Sequence, residues 1–238
     1  MLLFYVRHGD PIYNPDSLTP LGERQAEAVA RRLTLFGLDE IYASSSNRAM
    51  LTAKPTCDIL KKEMHILEWC HEGLAYRDLA CKDESDKMQW MFRQKKYIQL
   101  FASDEIRNMG RKWYEHSAFA DTTFAAGICR IQTEADAFLS TLGYEHDLKN
   151  NYYNVREEND KRIALFAHEG FGLAFLSCVL DIPYPIFSTH FDMTHSGMTV
   201  IEFTARDGVC VPRLLQFSND SHIYKQDLPL NFQNRLRF

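Results

Sequence analysis

The feature that most constrains this chain is its first strand and the junction that follows it. Residues 2–6 read Leu-Leu-Phe-Tyr-Val, a short apolar run of the length and composition expected for a buried β-strand. The run continues directly into Arg7, His8 and Gly9. Because ligands of open α/β sheets bind beyond the carboxyl ends of the strands, this junction predicts a binding site.

The three junction residues together favour chemistry on an anion. Arg7 carries a planar guanidinium that fits phosphate oxygens. His8 carries ring nitrogens that are nucleophilic when the imidazole is neutral. Gly9 lets the backbone approach a ligand without a Cβ atom in the way. The formal net charge of the chain is −5, so an anion site must be a local cluster of cations.

The run Arg7-His8-Gly9 resembles the signature of the histidine phosphatase superfamily, which includes cofactor-dependent phosphoglycerate mutases and many phosphatases. Members commonly carry an asparagine five residues after the glycine, and Asn14 falls at that position. Pro11 is a departure, because threonine is frequent there in the family.

Two longer stretches extend the resemblance. Residues 18–26 match the family pattern Leu-Thr-x-x-Gly-x-x-Gln-Ala at every fixed position, and Thr19 and Pro20 suit the N-cap and first position of a helix. Residues 44–53 match a serine, three residues, Arg-Ala, two residues and Thr-Ala. This second match places Arg48 at the position of an arginine that belongs to the family's phosphate site.

Further site residues follow from two more predicted strands. Residues 162–167 predict a buried strand that ends in His168, where the family's second histidine stands. Residues 65–69 predict another strand, and the resemblance implies that Glu72, just beyond it, is the proton donor. Glu68, inside that strand, is the alternative acid.

A histidine-containing loop precedes the strand predicted at residues 198–204. His195 falls where the family often carries an asparagine, and it is a candidate phosphate ligand. Together with His190 and Asp192 it could be taken for a metal site, but the spacing fits no zinc motif. We therefore predict no metal and no cofactor.

Residues 75–160 lie outside the resemblance and read as a helical insertion. Helices are predicted over 84–101 and 105–119, both rich in aromatic and basic residues, and over 123–142. The first two could form a cap that recognises the non-phosphate part of a substrate, or amphipathic helices with an aromatic inner face. The polar stretch 144–161 is predicted to be a mobile loop.

The length of 238 residues suits a single domain, spanning 1–238 and carrying that insertion. The resemblance and the strand pattern together predict an α/β three-layer sandwich with a mainly parallel central sheet and helices on both faces. The net charge of −5 argues against nucleic-acid binding, which usually requires a basic surface. No apolar run is long enough to span a bilayer. Six dispersed cysteines and an N-terminus that enters its strand at once favour a cytoplasmic protein with reduced thiols.

The resemblance also implies a mechanism. His8 attacks phosphorus and becomes phosphohistidine, while Glu72 protonates the leaving oxygen and then deprotonates water. Protein cations neutralise the phosphoryl group, so no Mg²⁺ is required. The phosphate is held by the remaining site residues, namely Arg7, Asn14, Arg48, His168 and His195.

We therefore expect a phosphomonoester hydrolase whose partner is a small phosphorylated metabolite. The alternatives are a cofactor-dependent phosphoglycerate mutase and a non-catalytic module that binds phosphorylated ligands. The mutases draw on an Arg-Arg pair followed by a serine or aromatic, an aspartate and prolines; no such run occurs between residues 73 and 123. Nothing in the sequence indicates an oligomeric state.

Overall fold

The computed structural model describes residues 1–230. All six cysteines lie in this range with free thiols, as expected. The strands are β1 Leu2–Arg7, β2 Pro11–Tyr13, β3 Asp16–Leu18, β4 Glu40–Ser44, β5 Met64–Leu67, β6 Ala80–Lys82, β7 Met88–Trp90, β8 Tyr144–Asp147, β9 Tyr152–Val155, β10 Arg162–Ala167, β11 Met198–Glu202, β12 Val209–Cys210 and β13 Arg213–Asn219. The α-helices are α1 Pro20–Leu33, α2 Asn47–Leu60, α3 Glu72–Leu79, α4 Lys95–Ala102, α5 Asp104–Asn108, α6 Phe124–Thr141, α7 Glu169–Val179, α8 Tyr184–His190 and α9 Ser221–Lys225.

The central sheet has six strands in the order β13-β11-β1-β10-β4-β5. Strands β1, β10, β4 and β5 are parallel neighbours, whereas β11 runs antiparallel to both β1 and β13. The sheet is therefore mainly parallel, as predicted.

Side chains of β1 alternate between two hydrophobic layers, as the pleat of a strand requires. Phe4 and Val6 pack with residues of α1 and α2 on one face of the sheet. Leu3 and Tyr5 pack with residues of α6 and α7 on the other face. Helices on both faces of one sheet make the predicted three-layer α/β sandwich.

The register of the parallel strands decides which side chains meet at the carboxyl edge. Arg7 is the partner of Ala167 in the β1–β10 pair, and the His8 amide donates to the Ala167 carbonyl at 2.9 Å. The next residue after Ala167 is His168, so the two histidines emerge side by side. In the β10–β4 pair Phe166 faces Ala43, which brings Ser44 to the same edge.

The helices of residues 75–160 are shorter than the sequence indicates. The prediction over 84–101 is wrong in its first half, where β7 and a 3-10 turn at Met91–Arg93 precede α4. The stretch 105–119 divides into α5 and two 3-10 turns, because Gly110 has a φ of +58° that interrupts the helix. The prediction over 123–142 is confirmed by α6. The assignment of this segment as an insertion within one domain stays a prediction.

Part of the aromatic content of this segment joins the hydrophobic layer that covers one face of the central sheet. Trp113 is 1% exposed, and its ring meets Phe101, Phe119 and Tyr184 at centroid distances of 5.4, 5.0 and 5.8 Å. The interpretation as amphipathic elements with an aromatic inner face holds for these residues. Trp90 is only partly buried and does not belong to this aromatic group.

The mobile loop predicted at 144–161 is wrong. Strands β8 and β9 form a hairpin there, and β12 extends it to a three-stranded sheet. Tyr144 and Tyr153 are fully buried beneath it. The polar composition of the stretch concealed these inward-facing rings, which supply the apolar area that orders the hairpin.

Candidate active site

His8 is held as a neutral imidazole with a defined tautomer. Its Nδ1 lies 2.7 Å from the carbonyl oxygen of Gly9, and because a carbonyl only accepts, Nδ1 carries the proton. Burial, and next the Arg7 guanidinium, holds the pKa of His8 well below its usual range. The lone pair of the ring is therefore on Nε2.

His168 packs beside His8, with ring centroids 5.2 Å apart. Its Nδ1 lies 3.2 Å from Arg48 Nη2, and since a guanidinium only donates, Nδ1 accepts. Its Nε2 then donates to Ser44 Oγ at 2.8 Å. Burial, aided by the nearby Arg48 guanidinium, holds the pKa of His168 well below its usual range. His168 is fully buried, behind the cavity wall and not on its surface.

Tyr5 anchors the backbone of His168 and was not identified from the sequence. Its hydroxyl donates to the His168 carbonyl at 2.5 Å and accepts from the His168 amide at 3.2 Å. In the sequence, Tyr5 is the one hydroxyl-bearing side chain in the apolar run 2–6, and a buried hydroxyl needs a hydrogen-bond partner.

Arg48 stands at the start of α2 and is fixed by Asp16, a second residue that the sequence did not indicate. Arg48 Nη1 lies 2.7 Å from Asp16 Oδ1, while Asp16 Oδ2 accepts from Ser46 Oγ at 2.7 Å and from the Asn47 amide at 2.8 Å. The Tyr13 ring lies 5.5 Å from the guanidinium carbon. Asp16 thus ties the β2–β3 hairpin to the helix that carries Arg48.

Arg7 is paired with Glu169, the first residue of α7. Arg7 Nη1 lies 3.0 Å from Glu169 Oε2 and also donates to the Met193 carbonyl. The other oxygen of Glu169 accepts from Arg93 Nη2 at 2.5 Å. In the sequence, Glu169 follows His168 directly, and an acidic residue at the end of a buried strand is the signal for this partner of Arg7.

His195 is buried and contacts Arg7. Its Nε2 accepts from Arg7 Nη2 at 3.0 Å, and its Nδ1 lies 3.4 Å from Asp10 Oδ1. The ring stacks on His8 with centroids 5.7 Å apart. Burial and the charge of Arg7 lower the pKa of His195 to about 3, so this imidazole is neutral.

Glu72 is the first residue of α3, and its carboxylate contacts the N-terminal end of helix α7. Its carboxylate oxygens accept from the amides of Gly170 at 3.1 Å and Phe171 at 3.2 Å. Burial raises the pKa of Glu72 to about 7, against the lowering effect of these hydrogen bonds. Glu68 is exposed and does not line the cavity, so of the two candidate acids only Glu72 borders the site.

Four of the predicted site residues, Arg7, His8, Arg48 and Glu72, line one cavity of about 460 Å³. His168 and His195 lie behind them and do not line it. Asn14 does not line it either: it is exposed at the tip of the β2–β3 hairpin, and its part in phosphate binding stays a prediction.

Within residues 1–230 no group of three or more histidine, cysteine, aspartate or glutamate side chains is arranged to hold a metal ion. Across the same residues, none of the helices has the length and apolar character that crossing a membrane requires.

Comparison with known proteins gives one family match. Residues 3–99 match the family model described as histidine phosphatase superfamily (branch 1). No curated protein sequence matches the chain.

Solved structures share the fold over most of the chain. A variant of phosphoserine phosphatase from Entamoeba histolytica, in complex with phosphoserine, is 20% identical with a TM-score of 0.59, over 93% of this chain and 98% of that one. A mycobacterial glucosyl-3-phosphoglycerate phosphatase is 17% identical with a TM-score of 0.59, over 92% and 98% of the two chains. Residues 3–99 are therefore similar to the histidine phosphatase superfamily (branch 1), and most of the chain shares the fold of these solved phosphatases.

Proposed function

We propose that this protein hydrolyses a small phosphorylated metabolite through a phosphohistidine intermediate on His8. The observation that carries the proposal is the state of His8 at the cavity. The Gly9 carbonyl accepts a hydrogen bond from the protonated Nδ1, so a neutral ring offers the Nε2 lone pair beside two arginines. A neutral imidazole in this setting is a nucleophile for phosphorus.

The two arginines beside His8 support phosphate as the ligand. Arg7 and Arg48 both line the cavity. Guanidinium groups bind phosphate oxygens strongly. We assign these two side chains to the equatorial oxygens of the phosphoryl group.

The two buried histidines then act through the arginines. His168 accepts from Arg48, and His195 accepts from Arg7. Both rings are neutral, so each fixes the orientation of a guanidinium without competing for the anion. Preorganised donors of this kind need little rearrangement when charge develops in the transition state.

Glu72 supplies the proton in the first step and removes one in the second. His8 Nε2 forms a bond to phosphorus as the bond to the leaving oxygen breaks, and that oxygen takes the Glu72 proton. Glu72 then accepts a proton from water as the water oxygen attacks phosphorus and the P–N bond breaks. A pKa of about 7 suits both roles near neutral pH.

The experiment is a comparison of His8→Ala with wild type and with His190→Ala, whose histidine is exposed and outside the cavity. His8→Ala removes the nucleophile, so we expect loss of p-nitrophenyl phosphate hydrolysis with an unchanged circular dichroism spectrum. Wild type quenched during turnover should carry phosphate that is labile in acid and stable in base. Full activity of His8→Ala, or activity removed by EDTA and restored by a metal, contradicts the mechanism.

Substrates of similar proteins support a small phosphorylated metabolite. The structures with this fold include proteins described as acting on phosphoserine and on glucosyl-3-phosphoglycerate, and a candidate alpha-ribazole-5'-P phosphatase from Escherichia coli. A screen of phosphorylated metabolites against purified protein would identify the one used here.

A further inference from the structure

The cavity at His8 extends well past the space that a phosphoryl group fills. Its volume of about 460 Å³ is that of a site for a whole small molecule. Three of its lining residues come from the segment 75–160, namely Tyr76, Trp90 and Arg93. Because the phosphate is held by residues of the sheet edge, these three are placed to meet the leaving group.

Trp90 is fixed on three sides. Its ring meets Tyr76 edge-on, with centroids 5.1 Å apart and planes at 79°, and stacks against Phe92 at 5.7 Å. It also lies against Gly170, where a Cβ atom would come within 2.2 Å of the indole ring. Tyr76 is held in turn, since its hydroxyl donates to the Met88 carbonyl at 2.7 Å. The ring that faces the cavity is therefore a preorganised apolar surface.

The charged groups near this surface disfavour an anionic leaving group. Arg93, the cation that the segment contributes, is paired with Glu169 at 2.5 Å, and Glu169 also pairs with Arg7. A carboxylate on the leaving group would meet the carboxylate of Glu169, and the nearest cation of the segment, Arg93, is already paired with that carboxylate. Desolvating a second carboxylate there is unfavourable.

We propose that the preferred substrates are phosphomonoesters of uncharged alcohols that carry an aromatic or similarly flat apolar group, which packs on Trp90. This inference rests on the hydrolysis at His8 proposed above. Aromatic pairs contribute beyond the area they bury, and a fixed ring loses little entropy on binding.

The test compares the kcat/KM values of three esters of primary alcohols: 2-phenylethyl phosphate, glycerol 1-phosphate and 3-phosphoglycerate. Their leaving alcohols share one class, so chemistry alone separates them little. We expect the phenylethyl ester to be preferred over glycerol 1-phosphate by about tenfold, the size of one aromatic contact, with 3-phosphoglycerate the poorest. Trp90→Ala should remove the preference mainly through KM, and Trp90→Phe should restore most of it.

Met88→Ala is the matched control, since Met88 lies on the same hairpin with an exposed side chain outside the cavity. It should keep the preference. Equal kcat/KM values for the phenylethyl and glycerol esters, or an equal loss on both in Trp90→Ala with Met88→Ala unaffected, overturns the inference. If no ester is hydrolysed, or if His8→Ala hydrolyses them as well as wild type does, the proposed function itself fails.

Discussion

At the scale of single residues, burial separates two glutamates that lie four positions apart in the sequence. Glu68 is exposed to water and does not line the cavity. Glu72 borders the cavity, and burial raises its pKa to about 7. A proton donor must hold its proton at working pH, so the environment and not the residue type selects Glu72.

Glu72→Gln should lower kcat for alkyl phosphates about 100-fold or more, because the alkoxide then leaves without a proton. The loss should be smaller for p-nitrophenyl phosphate, whose leaving group needs little protonation. In wild type, kcat/KM for the alkyl ester should fall as pH rises through about 7, where Glu72 loses its proton. Glu68→Gln is the matched control; a larger effect there, or equal losses on both esters in Glu72→Gln, refutes the assignment.

At the scale of elements, His146 joins three parts of the chain on the face of the sheet opposite α1 and α2. Its Nδ1 lies 2.7 Å from Asp136 of α6, and its Nε2 lies 2.9 Å from Asp181, which follows α7. Its ring stacks on Tyr153 with centroids 4.1 Å apart. Burial alone would lower the pKa of His146, but the two carboxylates outweigh it and raise the pKa to about 9.

His146→Gln should therefore destabilise the fold in a pH-dependent way. The folded pKa exceeds the unfolded value of 6.5, so the contribution is full below pH 6.5 and disappears as pH rises through about 9. We expect the free energy of unfolding to fall by about 3 kcal/mol at pH 6, with little difference from wild type near pH 10. Urea titrations of both proteins at the two pH values measure this; a pH-independent difference would show that His146 is not charged in the fold.

At the scale of the whole molecule, the sheet edge and the segment 75–160 together form the cavity. The edge provides His8 and the arginines, while the segment provides Trp90, Arg93 and one of the tyrosines. A mutase must keep water out and hold a sugar acid by its carboxylate while the intermediate turns over. Here Glu169 already occupies Arg7 and Arg93.

We therefore expect phosphate release to be much faster than interconversion of 2- and 3-phosphoglycerate. The measurement is a coupled interconversion assay primed with 2,3-bisphosphoglycerate, run beside a phosphate-release assay on the same preparation. His8→Ala should abolish both signals, which shows that each one comes from the enzyme. Interconversion faster than phosphate release would place this chain with the mutases.

The sequence by itself determined the elements that meet at the sheet edge. The apolar runs that form β1 and β10 end at Arg7 and Ala167, and the helix-start signals at Thr19 and Pro20 open α1 as expected. These are local patterns, set by hydrophobic periodicity and by the capping of free amides, so they can be read without the fold. The site roles of Arg7, His8 and Arg48 came instead from the resemblance of their local motifs to the histidine phosphatase superfamily.

Only the tertiary structure decided the contacts that join distant parts of the chain. The pairing of Tyr5 with His168, of Asp16 with Arg48 and of Glu169 with Arg7 spans 163, 32 and 162 positions, and no local pattern marks such partners. The hairpin of β8 and β9 depends in the same way on a distant partner, because Tyr144 and Tyr153 pack against Phe203. Periodicity reports which face of an element is buried, whereas the partner across the interface is set by how the layers pack.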